Sequence, residues 1–294
     1  MPPNLKGEID VKLGLPPLNW PDLEAKYKNL NEYGGSFSNP DCKARHRVAI
    51  IIPFANRDVH LRKLLDILHP MLQRQQLNYG IFVIEQLGNL EFNKGLINNI
   101  GYEMVRKLNP NAYDCIIYQD VDTLPENDQN MYSCPINYPR HMAVSVSKYG
   151  YRLQEPGTKP DKIGPEQSEI VYTDYFGGVF AISNEHFELI NGFSNRFWGW
   201  GFEDTDIRFR MLKKGLKITR PKPDIARYKS MPHPKAKANP DGRKVFEDSL
   251  QTTEFTTDGL NSLNGLFNSG VYEIQTIKKF FTHTLISVNV MKKN

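Results

Sequence analysis

Two short runs in this chain concentrate the residue types that polar chemistry needs. Asp120-Val121-Asp122 directly follows the apolar run Cys115-Ile-Ile-Tyr-Gln119. Alternation along a strand turns the two carboxylates to opposite sides, so one can hold a metal ion while the other holds a sugar or ribose hydroxyl. An acidic turn opening toward Pro125 has the same composition, and a lone Asp-x-Asp does not separate the two readings. The second run, Trp198-Gly-Trp-Gly-Phe-Glu-Asp-Thr-Asp206, alternates tryptophan with glycine and runs into three carboxylates. Tryptophan faces stack on sugar rings, glycines permit a hinged approach, and a carboxylate beside an apolar wall can act as general base. The competing reading is a structural aromatic turn, with Glu203, Asp204 and Asp206 complementing a helix dipole. His233, inside a Lys- and Pro-rich stretch, is either a ligand or a solvated side chain. Arg57 and Lys94 each follow an apolar segment closely and suit either a phosphate or ordinary surface charge.

Such residues need a frame. The β-branched run over 48–54, stopped near Pro53, has the character of a strand buried on both faces of a mainly parallel sheet. Helical spacing over 61–72, a strand over 80–85, a helix over 93–108 and the strand 115–119 follow in turn. This alternation predicts a doubly wound α/β unit, whose ligands bind beyond the carboxyl ends of the strands, where Asp120 and Asp122 fall. Further strands are expected over 142–146 and 175–182, and helices over 184–190 and 206–215. Loops are expected over 152–170 and 221–243, both rich in proline. Residues 1–46, with one short helix around 21–27, are expected to form an arm on a single domain spanning 47–294.

Composition sets the outer limits. With 294 residues and 39% hydrophobic content, the chain is neither disordered, collagenous nor a small disulfide scaffold. A net charge of +4 is too small to argue for nucleic acid. The charge is uneven, however: residues 205–244 carry 13 Lys and Arg against three Asp, so this segment could meet an anionic ligand. No apolar run approaches the roughly 18 residues of a membrane-spanning helix, and the first residues lack a signal-peptide core, so a soluble chain is expected.

Seven ordered blocks, from Val48-Ala-Ile-Ile-Ile-Pro-Phe54 through Phe92-Asn-Lys94, Asp120-Val-Asp122, Tyr175-Phe-Gly-Gly178 and Trp198-Gly-Trp-Gly201 to Asp258-Gly-Leu-Asn-Ser-Leu263, include also Leu68 to Leu77. Together they resemble the β-1,4-galactosyltransferase family, glycosyltransferase family 7, over nearly the whole chain. The resemblance implies a GT-A-like, Rossmann-like mixed sheet in one catalytic domain, with an N-terminal arm and a flexible metal-binding loop. It implies an inverting, Mn²⁺-dependent transfer of galactose from UDP-galactose to the 4-hydroxyl of a terminal N-acetylglucosamine. Transfer from UDP-N-acetylgalactosamine and a non-catalytic sugar-binding role are the alternatives. The implied setting is the Golgi lumen, with membrane attachment only through an anchor absent from this chain.

Carried over by position, Pro53, Phe54, Arg57, Phe92, Lys94, Asp120, Val121, Tyr175, Gly178 and Trp200 would bind the donor. Asp122, His233 and Met231 would hold the metal, and Asp204, Thr205 and Arg243 the acceptor. Asp204 would be the general base, assisted by Glu203, and Tyr175 would face the 2-position of the donor sugar and favour galactose. The resemblance also pairs Cys115 with Cys134 and leaves Cys42 free. The chain departs from the family pattern at Ala55, where a second arginine is usual, and at Thr205, where an acid is usual. It departs again at Met231, one residue closer to His233 than in Met-x-x-His, at Lys244, where an aromatic residue is usual, and through an apparent insertion over 152–170.

Overall fold

The computed structural model describes residues 4–30, 32–40, 42–151, 175–234, 238–251 and 254–291. The arm supplies α1 (Trp20–Tyr27) and β1 (Ser36–Phe37), and the sheet then opens with β2 (Arg47–Phe54). After it come α2 (Asp58–Arg74), β3 (Asn78–Leu87), α3 (Lys94–Leu108) and β4 (Cys115–Gln119). Both β3 and β4 pair with β2 in parallel, one on each side. The chain therefore leaves β2 through α2 to one neighbour and crosses through α3 to the other, which makes the end of β2 the switch point where such sheets open a crevice.

Alternation explains why β2 lies at the centre. Val48, Ile50, Ile52 and Phe54 enter one hydrophobic cluster with Leu61, Leu64, Leu68 and Met71 of α2. Ala49 and Ile51 point the other way, into a second cluster with Leu96, Ile97 and Ile100 of α3. An uninterrupted apolar strand is what two covered faces require.

The later elements are β5 (Thr123–Pro125), β6 (Arg140–His141), β7 (Ser145–Val146), β8 (Val179–Ser183), α4 (Asn184–Leu189) and α5 (Glu203–Lys213). They are followed by β9 (Arg227–Ser230), α6 (Gly242–Gln251), α7 (Leu263–Asn268), β10 (Tyr272–Lys279) and β11 (Thr284–Val290). The main sheet runs β10-β11-β3-β2-β4-β8-β6 with β1 beside β3, and it is mixed because β8 lies antiparallel to β4. A small sheet, β5-β9-β7, caps the end of β4.

Five expectations shift. The strand expected over 142–146 is reduced to Ser145–Val146. The strand expected over 175–182 starts only at Val179, since Gly178 takes the left-handed φ of 90° that ends the preceding turn. The helix expected at Asp206 begins at Glu203. The stretch read as a loop over 221–243 contains β9, which is polar except for buried Tyr228 and is a strand only because it pairs with β5 and β7. The hairpin β10 and β11 arises where no element was expected; β10 is an edge strand with most side chains exposed, so it lacks an apolar pattern. The loop expected over 152–170 lies outside the described residues.

The arm is tied to the body. Ile9 donates its N–H to the Glu126 carbonyl at 2.8 Å, and Lys63 Nζ donates to the carbonyls of Leu15 at 2.6 Å and Leu13 at 3.3 Å. Leu23 and Tyr27 of α1 are buried, and Glu24 accepts from the backbone N–H groups of Phe281 and Thr282. Among the described residues, no helix is long and apolar enough to cross a membrane.

Cys115 and Cys134 form the expected disulfide, and Cys42 is free. The bond closes a stretch of 19 residues that carries the Asp-Val-Asp turn and β5. Closing a loop of that length restricts the unfolded chain by about 3 kcal/mol. Replacing Cys134 by Ser should therefore lower the unfolding free energy in urea by about 2–4 kcal/mol, and an unchanged midpoint would show that the cross-link contributes nothing.

Candidate active site

Lys94 opens α3, and its position is set from both sides. Asn93 caps the helix by accepting from the Leu96 N–H at 2.9 Å and donates through Nδ2 to the Asn195 carbonyl at 2.8 Å. Asn99 donates to the Phe193 carbonyl at 2.8 Å and to Asn195 Oδ1 at 2.9 Å. The start of α3 is thereby fixed against the chain that leads into the tryptophan run. Ser194 and Asn195 are held in turn by Asp258, whose carboxylate accepts from Ser194 Oγ and from the Asn195 N–H.

The tryptophan run ends at Phe202, in a left-handed conformation with φ of 75°, and α5 begins with Glu203 and Asp204. Gly177 lets this helix approach β8: a Cβ there would stand 2.6 Å from Asp204 Oδ2. Any larger residue would push the carboxylate out of place.

Lys94 Nζ sits between three acids. It lies 2.9 Å from Asp120 Oδ1, 2.9 Å from Asp204 Oδ1 and 3.7 Å from Glu203 Oε1. Burial works against the ammonium, but the charges of Asp120, Asp204 and Glu203 outweigh it and hold Lys94 well above its ordinary value. Burial also raises Asp120 to about 6, with Lys94 opposing the shift, and raises Glu203 to about 7, where the charge of Asp204 adds to burial. One cation cannot balance three anions, so part of the cluster keeps its protons near neutrality.

A second corner lies at the end of the small sheet. Pairing of β5 with β9 sets Thr123 opposite Ser230, and the Met231 N–H donates to the Asp122 carbonyl at 2.8 Å. His233 Nε2 then stands 2.9 Å from Asp122 Oδ2. His233 Nδ1 lies 3.1 Å from Arg57 Nη2 and 2.7 Å from the Pro234 carbonyl. A carboxylate and an imidazole are donors suited to Mn²⁺, whereas the Met231 thioether is soft and its side chain is buried in the first hydrophobic cluster. Among the described residues, no three His, Cys, Asp or Glu side chains converge as a metal cluster.

The remaining expected residues surround these corners unequally. Pro53 and Phe54 end β2, and Phe54 and Val121 are buried. Phe92 is partly buried, and its carbonyl accepts from the Gly199 N–H at 2.9 Å. Tyr175 packs edge-on against His141 and Tyr149, and a Cβ on Gly178 would come within 3.2 Å of its hydroxyl. Trp200 is 63% exposed, and its carbonyl accepts from Asn239. Thr205 is half-buried on α5, while Arg243 is exposed on α6 and pairs with Glu247 at 2.9 Å. The basic stretch 205–244 is not one patch, because Arg210 is buried against Asp206 at 2.7 Å and reaches Asp258.

Sequence reading missed the support beneath the Asp-Val-Asp turn. Gln119 Nε2 donates to the carbonyls of Asp120 at 2.9 Å and Thr123 at 2.7 Å, and Tyr132 donates to Gln119 Oε1 at 2.7 Å. A glutamine at a strand end is the only sequence signal, and it is a weak one.

A switch-point sheet with an Asp-x-Asp turn at the carboxyl end of a central strand, facing a carboxylate pair at a helix start, is an arrangement of the GT-A type. Residues 1–135 match the family model described as the N-terminal region of glycosyl transferase group 7, and residues 165–234 match the N-terminal domain of galactosyltransferase. β-1,4-Galactosyltransferase 4 of Rattus norvegicus is 41% identical over 261 residues, covering 88% of this chain and 69% of the relative. β-1,4-Galactosyltransferase 1 of Homo sapiens is 38% identical over 291 residues, covering 98% of this chain and 65% of the relative. The chain belongs to the β-1,4-galactosyltransferase family. The fold is shared with a mutant of Drosophila β-1,4-galactosyltransferase 7 solved with manganese, UDP-Gal and xylobiose, at a TM-score of 0.62 and 23% identity, covering 84% of this chain and 95% of that one.

Because Glu203 binds its proton more tightly folded than unfolded, the folded state holds the extra proton between the ordinary glutamate value of 4.5 and about 7. Stability should therefore fall as pH rises through that window, and Glu203→Gln should remove this component. Unfolding free energies measured from pH 5 to pH 7 should show wild type losing stability relative to the variant; a constant difference would contradict the assignment.

Proposed function

We propose that this chain is an inverting glycosyltransferase that moves galactose from UDP-galactose to the 4-hydroxyl of a terminal N-acetylglucosamine. The observation that carries the reading is the cluster of Asp120, Glu203 and Asp204 around Lys94 at the carboxyl end of the sheet, in a chain of this family. Asp204 would take the proton from the acceptor hydroxyl as its oxygen bonds to the anomeric carbon and the bond to UDP breaks on the opposite face. Lys94 would orient the Asp204 carboxylate, and Glu203, with its raised proton affinity, would hydrogen-bond the acceptor.

Asp122 and His233 would hold Mn²⁺, with Met231 contributing its backbone contact to Asp122. When bound, the metal supplies a Lewis acid for the departing diphosphate. Arg57, beside His233, would meet the UDP phosphates, and Pro53, Phe54, Phe92, Asp120 and Val121 would line the uridine and ribose end. Trp200 would cover the sugar from its exposed position, and Thr205 and Arg243 would contact the acceptor. The disulfide suits an oxidising compartment, and we place the enzyme in the Golgi lumen.

The direct test is incubation with Mn²⁺, UDP-galactose and N-acetylglucosamine, with the product linkage read by NMR. Asp204→Asn should cut turnover about 10²-fold or more with UDP binding largely retained. Equal loss of both would assign Asp204 to folding or to the donor site. Tyr175, partly buried against the Gly-Gly turn, leaves little room for a 2-acetamide group. Tyr175→Leu should therefore raise transfer from UDP-N-acetylgalactosamine relative to UDP-galactose in a competition assay, and an unchanged ratio would remove Tyr175 from donor selection.

A further inference from the structure

Behind the Asp-Val-Asp turn lies a chain of buried hydrogen bonds whose direction can be assigned group by group. Gln119 must turn its Nε2 toward the carbonyls of Asp120 and Thr123, at 2.9 and 2.7 Å, because only an N–H can satisfy them. Its Oε1 is then the acceptor for the Tyr132 hydroxyl at 2.7 Å. The Tyr132 proton being committed, Tyr228 donates to the Tyr132 oxygen across 3.1 Å. The oxygen of Tyr228 in turn accepts from Asn130 Nδ2 at 3.1 Å. Gln119, Tyr132 and Tyr228 have no exposed surface, so none of them can touch a substrate.

The two ends of this chain matter. Gln119 grips the turn at the residues on either side of Val121 and Asp122, while Tyr228 lies in β9, three residues before Met231 and five before His233. The same hydrogen bonds therefore fix both polypeptide segments that bring Asp122 and His233 to 2.9 Å of each other. From this geometry we infer that Tyr132 is a positioning residue for metal binding: through Gln119 and Tyr228 its hydroxyl sets the spacing of Asp122 and His233. The inference rests on the reading of those two side chains as the Mn²⁺ ligands.

Tyr132→Phe keeps the ring and deletes the hydroxyl, leaving Gln119 Oε1 buried without its donor. The turn then loses one of the bonds that hold it. The readout is Mn²⁺ alone, titrated into purified protein and followed by the electron paramagnetic resonance signal of the free ion. Tyr132→Phe should weaken binding roughly tenfold, in line with the cost of an unpaired buried acceptor. Tyr79→Phe serves as the control for general loosening, since it deletes an equally buried hydroxyl that bonds His69 at 2.8 Å away from the turn, and it should bind Mn²⁺ as wild type does. Wild-type affinity in Tyr132→Phe, or equal weakening in Tyr79→Phe, would overturn the inference. Should Tyr132→Phe fail to fold, Tyr228→Phe breaks the chain one link further back; weaker Mn²⁺ binding there supports the inference and unchanged binding refutes it. Asp122→Asn separates the two levels: if it leaves Mn²⁺ binding intact, the ligand assignment itself fails, whereas loss in Asp122→Asn with none in Tyr132→Phe rejects only the positioning role.

Discussion

The arrangement of this site depends on one ammonium group. Lys94 joins Asp120, at the end of β4, to Glu203 and Asp204, at the start of α5, two parts of the chain that no backbone pairing connects directly. Three carboxylates brought together without a cation would repel one another and pay heavily for leaving water. With Lys94 between them Asp120 and Asp204 are held within hydrogen-bonding reach and Glu203 within ion-pair distance, and burial, opposed by Lys94, leaves Asp120 and Glu203 with raised proton affinity. A site for a sugar hydroxyl and a leaving diphosphate needs this condition: acids kept in place and incompletely neutralised before a ligand arrives.

The rest of the fold can be understood as what brings these groups to Lys94. β2 is covered on both faces, so β3 and β4 lie on either side of it and the crevice opens at its end. Asn93, which caps α3, and Asn99 within it lock the start of the helix to the loop before the tryptophans, and Gly177 leaves the space that Asp204 fills. The small sheet performs the corresponding task for Asp122 and His233, which are 111 positions apart in sequence and meet because β9 pairs with β5.

Much of this was legible in the sequence where side-chain pattern and structural role coincide. The runs at 48–54, 80–85 and 115–119 are apolar because both faces of those strands are covered, and the same property makes them readable. Asp120, Asp122, Glu203 and Asp204 could be found because they follow such runs or glycines. What could not be read was anything created by pairing alone. Arg227-Tyr-Lys-Ser230 is a strand only through its neighbours, and β10 shows mostly exposed side chains. Lys94 was visible as a lysine near the site, yet its contacts to three acids on two other elements have no local signature. The same holds for Gln119 and Tyr132, thirteen residues apart and joined only by the folded turn.

The most direct measurement is a double-mutant cycle on unfolding free energy with Lys94→Met and Asp204→Asn, singly and together, at pH 7.5 and low salt. If Lys94 binds Asp204 as the 2.9 Å contact indicates, the two losses should be strongly non-additive, with a coupling of roughly 0.5–3 kcal/mol in favour of the wild-type pair. A coupling indistinguishable from zero would mean that the ammonium does not hold these carboxylates together, and the central interaction of the site would have to be sought elsewhere.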